Sequence, residues 1–117
     1  MKNIYLTLIL SSIISAITLN LLASNNNLPN QKEFLELKKE VILLNLKNIN
    51  SINYIPQDVI YIKNEGNKII PRNNPLNKVY MPGNPKSDKY GFIMLPNINK
   101  QKELDQLTKI EQELRNL

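Results

Sequence analysis

Few side chains in this sequence could take part in chemistry. The chain has no histidine and no cysteine, which removes the commonest general base and all thiol chemistry. The serines outside the N-terminal segment are Ser51 and Ser87, and the sequence offers no base to activate either hydroxyl. Glu111 and Glu113 are close in sequence but would point to different sides of a helix. We therefore predict that the chain is not an enzyme and has no catalytic residue and no small-molecule substrate.

Binding sites for metals, nucleotides and nucleic acids also lack support. A metal would have to use carboxylates, and the ten Asp and Glu residues show no calcium-loop spacing. The three glycines form no phosphate-binding loop. The net charge of +5 comes with no basic run and no alternation of basic and aromatic residues. We expect no metal, no cofactor and no nucleic-acid partner.

The elements that would position any site begin after an apolar N-terminal segment. No charged residue lies between Lys2 and Lys32, and most residues of the segment are Ile, Leu, Ser or Thr. This pattern resembles a secretory signal peptide, but an uncleaved segment of this length would serve as a membrane anchor. The predicted organisation is a signal peptide or membrane anchor at residues 1–24, with membrane contact through residues 4–23 if it is retained, a linker at 25–30 and one domain at 31–117.

Two amphipathic helices are predicted within that domain. Asn30 and Glu33 have the spacing of a capping box, and an apolar stripe with helical period then continues to about Asn48. The second helix, capped by Asn97 or Asn99, runs to the last residue and is charged on its other face. The residues predicted to pack the helices on each other or on neighbouring subunits are Phe34, Leu37, Val41, Leu44, Leu104, Leu107, Ile110, Leu114 and Leu117.

Between the helices the apolar period changes to that of strands. Residues 59–62 are β-branched or aromatic, and turn-forming residues at 64–67 separate them from Ile69 and Ile70, which predicts a hairpin. A second hairpin is predicted within residues 78–95. The expected fold class is therefore α+β, with N- and C-terminal amphipathic helices packed as a coiled-coil-like pair and small β-hairpins between them.

The second predicted hairpin contains the most distinctive motif of the chain. Two short apolar runs, residues 78–81 and 91–95, are separated by Pro82, Gly83 and Pro85. Proline restricts φ and glycine accepts backbone conformations that other residues resist, so these residues favour a tight turn.

This motif resembles the C-terminal part of flagellar basal-body rod proteins of the proximal-rod C type. The similar stretch begins at Pro75 and ends at Asn99, and an upstream segment, residues 45–51, is similar to the motif that ends the family's N-terminal helix. The two motifs occur in the family's order. The family-like positions are Asn45, Asn48, Asn50, Pro75, Val79, Tyr80, Pro82, Gly83, Pro85, Gly91, Pro96 and Asn97.

The resemblance implies a structural subunit of the bacterial flagellar basal-body rod in the periplasm. Such a subunit would assemble through its terminal helices with copies of itself and with other flagellar rod proteins. The apolar N-terminal segment favours an alternative, because rod proteins of this family usually reach the rod without a cleaved signal. That alternative is a small periplasmic or membrane-anchored binding module derived from a rod protein, located at the inner membrane and facing the periplasm.

Overall fold

The computed structural model describes residues 30–117 and, before them, two short strands that pair in parallel, β1 (Leu8–Ile9) and β2 (Ser11–Ser12). The predicted signal peptide or anchor and nearly all of the predicted linker otherwise lie outside the described residues. The chain divides into two units, residues 1–34 and 35–117. The second unit contains both hairpins and all but the first turn of the first helix.

Four strands lie between two helices along the chain. The first hairpin pairs β3 with β4 and the second pairs β5 with β6, each as an antiparallel two-stranded sheet, which confirms both predicted hairpins. The elements are α1 (Gln31–Lys47), β3 (Gln57–Ile62), β4 (Gly66–Pro71), β5 (Leu76–Tyr80), β6 (Phe92–Pro96) and α2 (Lys100–Arg115).

Asparagine side chains begin both helices. The Asn30 Oδ1 accepts a hydrogen bond from the Glu33 N–H at 3.0 Å, and the Asn99 Oδ1 accepts one from the Lys102 N–H at 3.0 Å. Each bond satisfies an amide that has no partner within the first helical turn. Asn99 is thus the N-cap of α2, whereas the Asn97 N–H donates to the Pro75 carbonyl at 2.8 Å and joins the two ends of the second hairpin.

The prediction of a coiled-coil-like helix pair is wrong. The two helices flank the strand region, and they do not run alongside each other as a packed pair. Their side chains meet in a small apolar cluster and in one ion pair, between Lys39 and Glu111. The apolar cluster consists of Leu35, Ile42 and Ile110, with Leu46, Leu107 and Leu114 packed against them.

The physical reason lies in the face that α1 buries. Leu35 and Ile42 are buried together with the polar Asn45, because this face packs against the strand region as well as against α2. Leu44, which was predicted to pack, remains 43% exposed. Among the other predicted packing residues, Val41 and Ile110 are buried, Phe34, Leu37, Leu107 and Leu114 are partly buried, and Leu104 and Leu117 are exposed.

Candidate assembly surfaces

A hydrogen-bond network around Asn45 joins α1 to the segment that enters β3. The Asn45 side chain is completely buried. Its Oδ1 accepts hydrogen bonds from the Tyr54 hydroxyl at 2.9 Å and from the Gln57 N–H at 3.1 Å, while its Nδ2 donates to the Gln57 carbonyl at 2.8 Å. One amide therefore pairs both backbone groups of Gln57, and this positions the first hairpin relative to α1.

A second network joins this hairpin to α2 through Arg72. Its Nη1 and Nη2 each donate to a different carboxylate oxygen of Glu103 at 2.9 Å, and its Nε donates to Asp58 at 2.8 Å. Glu103 is only 5% exposed. The hydrogen bonds to Glu103 hold the pKa of Arg72 above its usual value, so the guanidinium remains charged. We call Arg72, Glu103 and Asp58 the arginine clamp.

Charged side chains also surround the apolar cluster between the helices. The Lys39 Nζ lies 3.2 Å from a carboxylate oxygen of Glu111, and both side chains are partly exposed. Burial lowers the pKa of Lys38, and the negative charges of Glu113 and Asp58 oppose that shift. A partly exposed ion pair contributes at most about 1 kcal/mol, so the arginine clamp is the stronger polar link to α2.

The loop between β5 and β6 is held by its own backbone and by Asp88. The N–H groups of Phe92 and Tyr90 donate to the Asp88 Oδ1 at 3.0 and 2.8 Å and lower the pKa of this carboxyl group. The Asn84 N–H donates to the Met81 carbonyl at 3.0 Å and closes a turn around Pro82 and Gly83. The proline and glycine positions of the family-like motif therefore belong to one hydrogen-bonded loop.

Gly91 is the position in this loop that tolerates a side chain least. Its φ is +89°, and a Cβ atom built there would lie 2.8 Å from the Tyr80 Cε1 and 3.2 Å from the Pro82 Cβ. Gly83 makes a matched control, because its added Cβ would meet no atom within 4 Å.

We expect Gly91→Ala to lower the free energy of unfolding by roughly 1 to 3 kcal/mol, because the substitution combines backbone strain with steric crowding. Gly83→Ala is expected to change it by less than about 1 kcal/mol. Urea denaturation followed by circular dichroism would measure both changes. Equal stability of the two variants would show that the backbone at Gly91 accepts an alanine.

The outer surface of the second hairpin combines aromatic and basic side chains. Tyr80 and Tyr90 are 62% and 68% exposed. The Tyr80 ring meets the Phe92 ring edge-on at a centroid distance of 5.2 Å, and the Lys78 Nζ lies 4.7 Å from the centre of the Phe92 ring. The Lys89 Nζ lies 5.1 Å from the centre of the Tyr90 ring. We call these residues the tyrosine–lysine surface.

Large apolar side chains are also exposed on both helices. Leu43 and Leu44 are adjacent on α1, Leu104 lies in the first half of α2, and Leu117 follows the end of that helix. We call these residues the exposed leucines. Leu44, Leu104 and Leu117 are among the residues that the sequence predicted for packing or assembly. They are not used in the core of the described chain and are available to neighbours.

The structure places the family-like positions in two regions. Asn45 forms its network at the end of α1, and the Asn48 side chain donates to the Leu44 carbonyl and accepts from the Ser51 hydroxyl. Asn50 is exposed. The remaining family-like positions belong to the second hairpin and its base, and they are Pro75, Val79, Tyr80, Pro82, Gly83, Pro85, Gly91, Pro96 and Asn97.

Sequence reasoning missed the arginine clamp. Arg72 and Glu103 are 31 positions apart, and no local pattern links them. One signal was available: Glu103 interrupts the apolar stripe of α2 at a position four residues before Leu107, on the helix side that the fold buries. Pairing it with one of the two arginines would have been a reasonable hypothesis.

The described residues contain neither a metal-binding cluster nor a helix that could cross a membrane. Within residues 30–117, no three His, Cys, Asp or Glu side chains lie close enough together to hold a metal ion. No helix in that part of the chain has both the length and the apolar character needed to cross a membrane. Comparison of the chain with protein-family models and with curated proteins found no match.

Proposed function

We propose that this chain is a structural subunit of the bacterial flagellar basal-body rod that assembles through its terminal helices. The observation that carries the proposal is the exposure of large leucine side chains on α1 and near both ends of α2. The apolar core of the described chain is small and consists of Leu35, Val41, Ile42, Val59, Ile93 and Ile110. Contact with neighbouring subunits would bury the exposed leucines and stabilise a domain whose own core is limited.

The sequence resemblance is the reason for proposing the flagellar rod as the assembly. Family-like residues have definite structural roles here: Asn45 joins a helix to a hairpin, and Gly91 occupies a backbone conformation that favours glycine. A rod requires heterologous contacts, in which one surface of a subunit meets a different surface of the next. The exposed leucines of α1 and α2 provide two such surfaces. The proposed location is the flagellar basal body in the periplasm.

The tyrosine–lysine surface supports a second candidate function. A small periplasmic or membrane-anchored binding module would need an exposed surface with aromatic and charged side chains, and this hairpin provides one. In this alternative the chain recognises a partner and does not assemble into a polymer of subunits.

We expect Leu44→Glu and Leu104→Glu each to weaken self-association about tenfold or more, because each removes a leucine that assembly would bury and adds a charge there. Sedimentation of the full-length chain over a wide concentration range, alone and with flagellar rod proteins, would measure the effect. Gln106→Glu is the matched control, since it adds the same charge at an exposed position of α2.

Circular dichroism would check that the variants keep their helices, which exposed positions should allow. An unsubstituted chain that stays monomeric at every concentration and ignores the added rod proteins would contradict the subunit proposal and favour the binding module.

A further inference from the structure

The outer edge of β5 presents unpaired backbone groups. The Met81 N–H donates to the Gly91 carbonyl and the Asn97 N–H donates to the Pro75 carbonyl, both at 2.8 Å, which identifies the hydrogen-bonded pairs of the ladder. Because bonded and non-bonded pairs alternate, every second residue of β5 points its N–H and C=O away from β6. No described residue forms a hydrogen bond with these outward groups. The residues concerned are Leu76, Lys78 and Tyr80.

The corresponding edge of β6 is largely covered, and only the Met94 N–H has no hydrogen bond among the described residues. The Met94 carbonyl accepts a hydrogen bond from the Asn53 N–H at 2.9 Å, and the Phe92 carbonyl accepts one from the Asp88 N–H at 2.8 Å. The Asp88 Oδ1 accepts from the Phe92 N–H, and Pro96 has no N–H to pair. The second hairpin therefore has one largely covered edge, on β6, and one open edge, on β5.

The second hairpin, which carries the open edge, has a positive net charge. Residues 76–96 contain three lysines and one aspartate, a net charge of +2. Lys78 lies at the centre of β5 with its ammonium group against the Phe92 ring. The Asp88 carboxylate already accepts hydrogen bonds from two backbone N–H groups of the loop. The edge thus combines free backbone donors and acceptors with the cationic side chain of Lys78.

A second copy of the chain is a poor occupant for this edge. Antiparallel pairing of two β5 strands centred on Lys78 would place that lysine opposite its own copy, and like charges directly opposite each other destabilise a ladder. A lysine on an edge strand is a common device against pairing between copies. Lys78 instead favours pairing with a strand that has an acidic residue opposite this lysine.

We propose that the open edge of β5 binds an extended acidic segment of a partner protein, which adds to the second hairpin as a third strand. The partner's backbone would pair with the outward groups of Leu76, Lys78 and Tyr80, and its acidic side chain would lie opposite Lys78. Apolar side chains on either side of that acid would contact Leu76 and Tyr80, which are on the same face of the strand. This inference does not depend on the rod proposal.

The test uses the full-length chain labelled with ¹⁵N and a capped peptide of sequence valine–threonine–glutamate–threonine–valine. The peptide is expected to shift the amide signals of Leu76, Lys78 and Tyr80 saturably and to slow their hydrogen exchange. The amides of Asn77 and Val79 point toward β6 and should change much less. A peptide with lysine in place of glutamate should bind about tenfold more weakly.

Two variants distinguish the contribution of the β5 backbone to peptide binding from that of the Lys78 charge. Lys78→Pro removes an outward N–H but no ladder bond, so it should abolish binding. Lys78→Gln keeps the N–H and should reduce the preference for glutamate over lysine. Lys63→Gln, on the first hairpin, is the matched control. It should leave both the affinity for the peptide and the preference for glutamate over lysine unchanged.

Three results would overturn the proposal. One is the absence of saturable shifts at the outward amides of the unsubstituted chain, and this result remains decisive if Lys78→Pro fails to fold. Another is equal affinity for the glutamate and lysine peptides. The third is protection of the same amides when the chain alone is concentrated, which would identify a second copy as the occupant.

Discussion

Arg72→Ala is expected to lower the free energy of unfolding by about 3 to 5 kcal/mol. The substitution leaves the Glu103 carboxylate buried without the two hydrogen bonds that it accepts from the guanidinium. A buried charge without its partner is costly because the interior screens it poorly and offers no water in compensation. Urea denaturation of the full-length chain, followed by far-ultraviolet circular dichroism, would measure the change.

A double substitution distinguishes the stability lost with the Arg72–Glu103 ion pair from the stability lost with the packing of the Arg72 side chain. Arg72→Met combined with Glu103→Leu removes both charges and keeps apolar volume, so it should recover much of the stability that Arg72→Ala loses. Lys68→Ala is the control, because Lys68 and Glu65 form an exposed pair at 3.9 Å that should contribute at most about 1 kcal/mol. If Arg72→Ala costs no more than Lys68→Ala, the arginine clamp does not stabilise the fold.

Local sequence signals predicted the hairpins and the helix starts. Asn64 in the turn of the first hairpin and Gly66 at the start of β4 both have positive φ, and these residue types adopt that conformation most readily. Asn30 and Asn99 cap their helices through contacts three residues away. Each of these features depends on a few consecutive residues, so sequence patterns were sufficient to find them.

The helix arrangement could not be predicted in the same way. The apolar residues of α1 cover more than one face. The helical period favoured Leu44 for packing, but contact with distant elements buries Leu35 and leaves Leu44 exposed. The arginine clamp likewise joins parts of the chain far apart in sequence. Non-local contacts of this kind leave no periodic pattern, and the coiled-coil prediction was wrong because it relied on helical period alone.

The Asn45 network is another feature that sequence patterns could not predict. The resemblance marked Asn45 as a family-like position, but sequence alone did not show that its side chain pairs with both backbone groups of Gln57. A buried asparagine within an apolar stretch is unfavourable unless such partners exist. The exposed leucines and the open edge of β5 likewise became visible only once the fold showed which groups remain without a described partner.

Asn45→Ala is expected to lower the free energy of unfolding by about 2 to 4 kcal/mol. It removes three hydrogen bonds and leaves the Tyr54 hydroxyl and both backbone groups of Gln57 without the partner they have in the folded chain. Asn48→Ala is the matched control three residues later. Its side chain is less buried and bonds only to groups near it in sequence, so the expected loss is below about 1 kcal/mol.

A double-mutant cycle would test whether the network acts as one unit. Tyr54→Phe removes the hydroxyl and keeps the ring, so it should cost about 0.5 to 1.5 kcal/mol when Asn45 is present. In the Asn45→Ala background that hydroxyl has already lost its acceptor, and Tyr54→Phe should then cost little or even stabilise the fold. Strict additivity of the two substitutions would contradict the contact between the Tyr54 hydroxyl and the Asn45 Oδ1 and would leave only the Gln57 bonds to join α1 to β3.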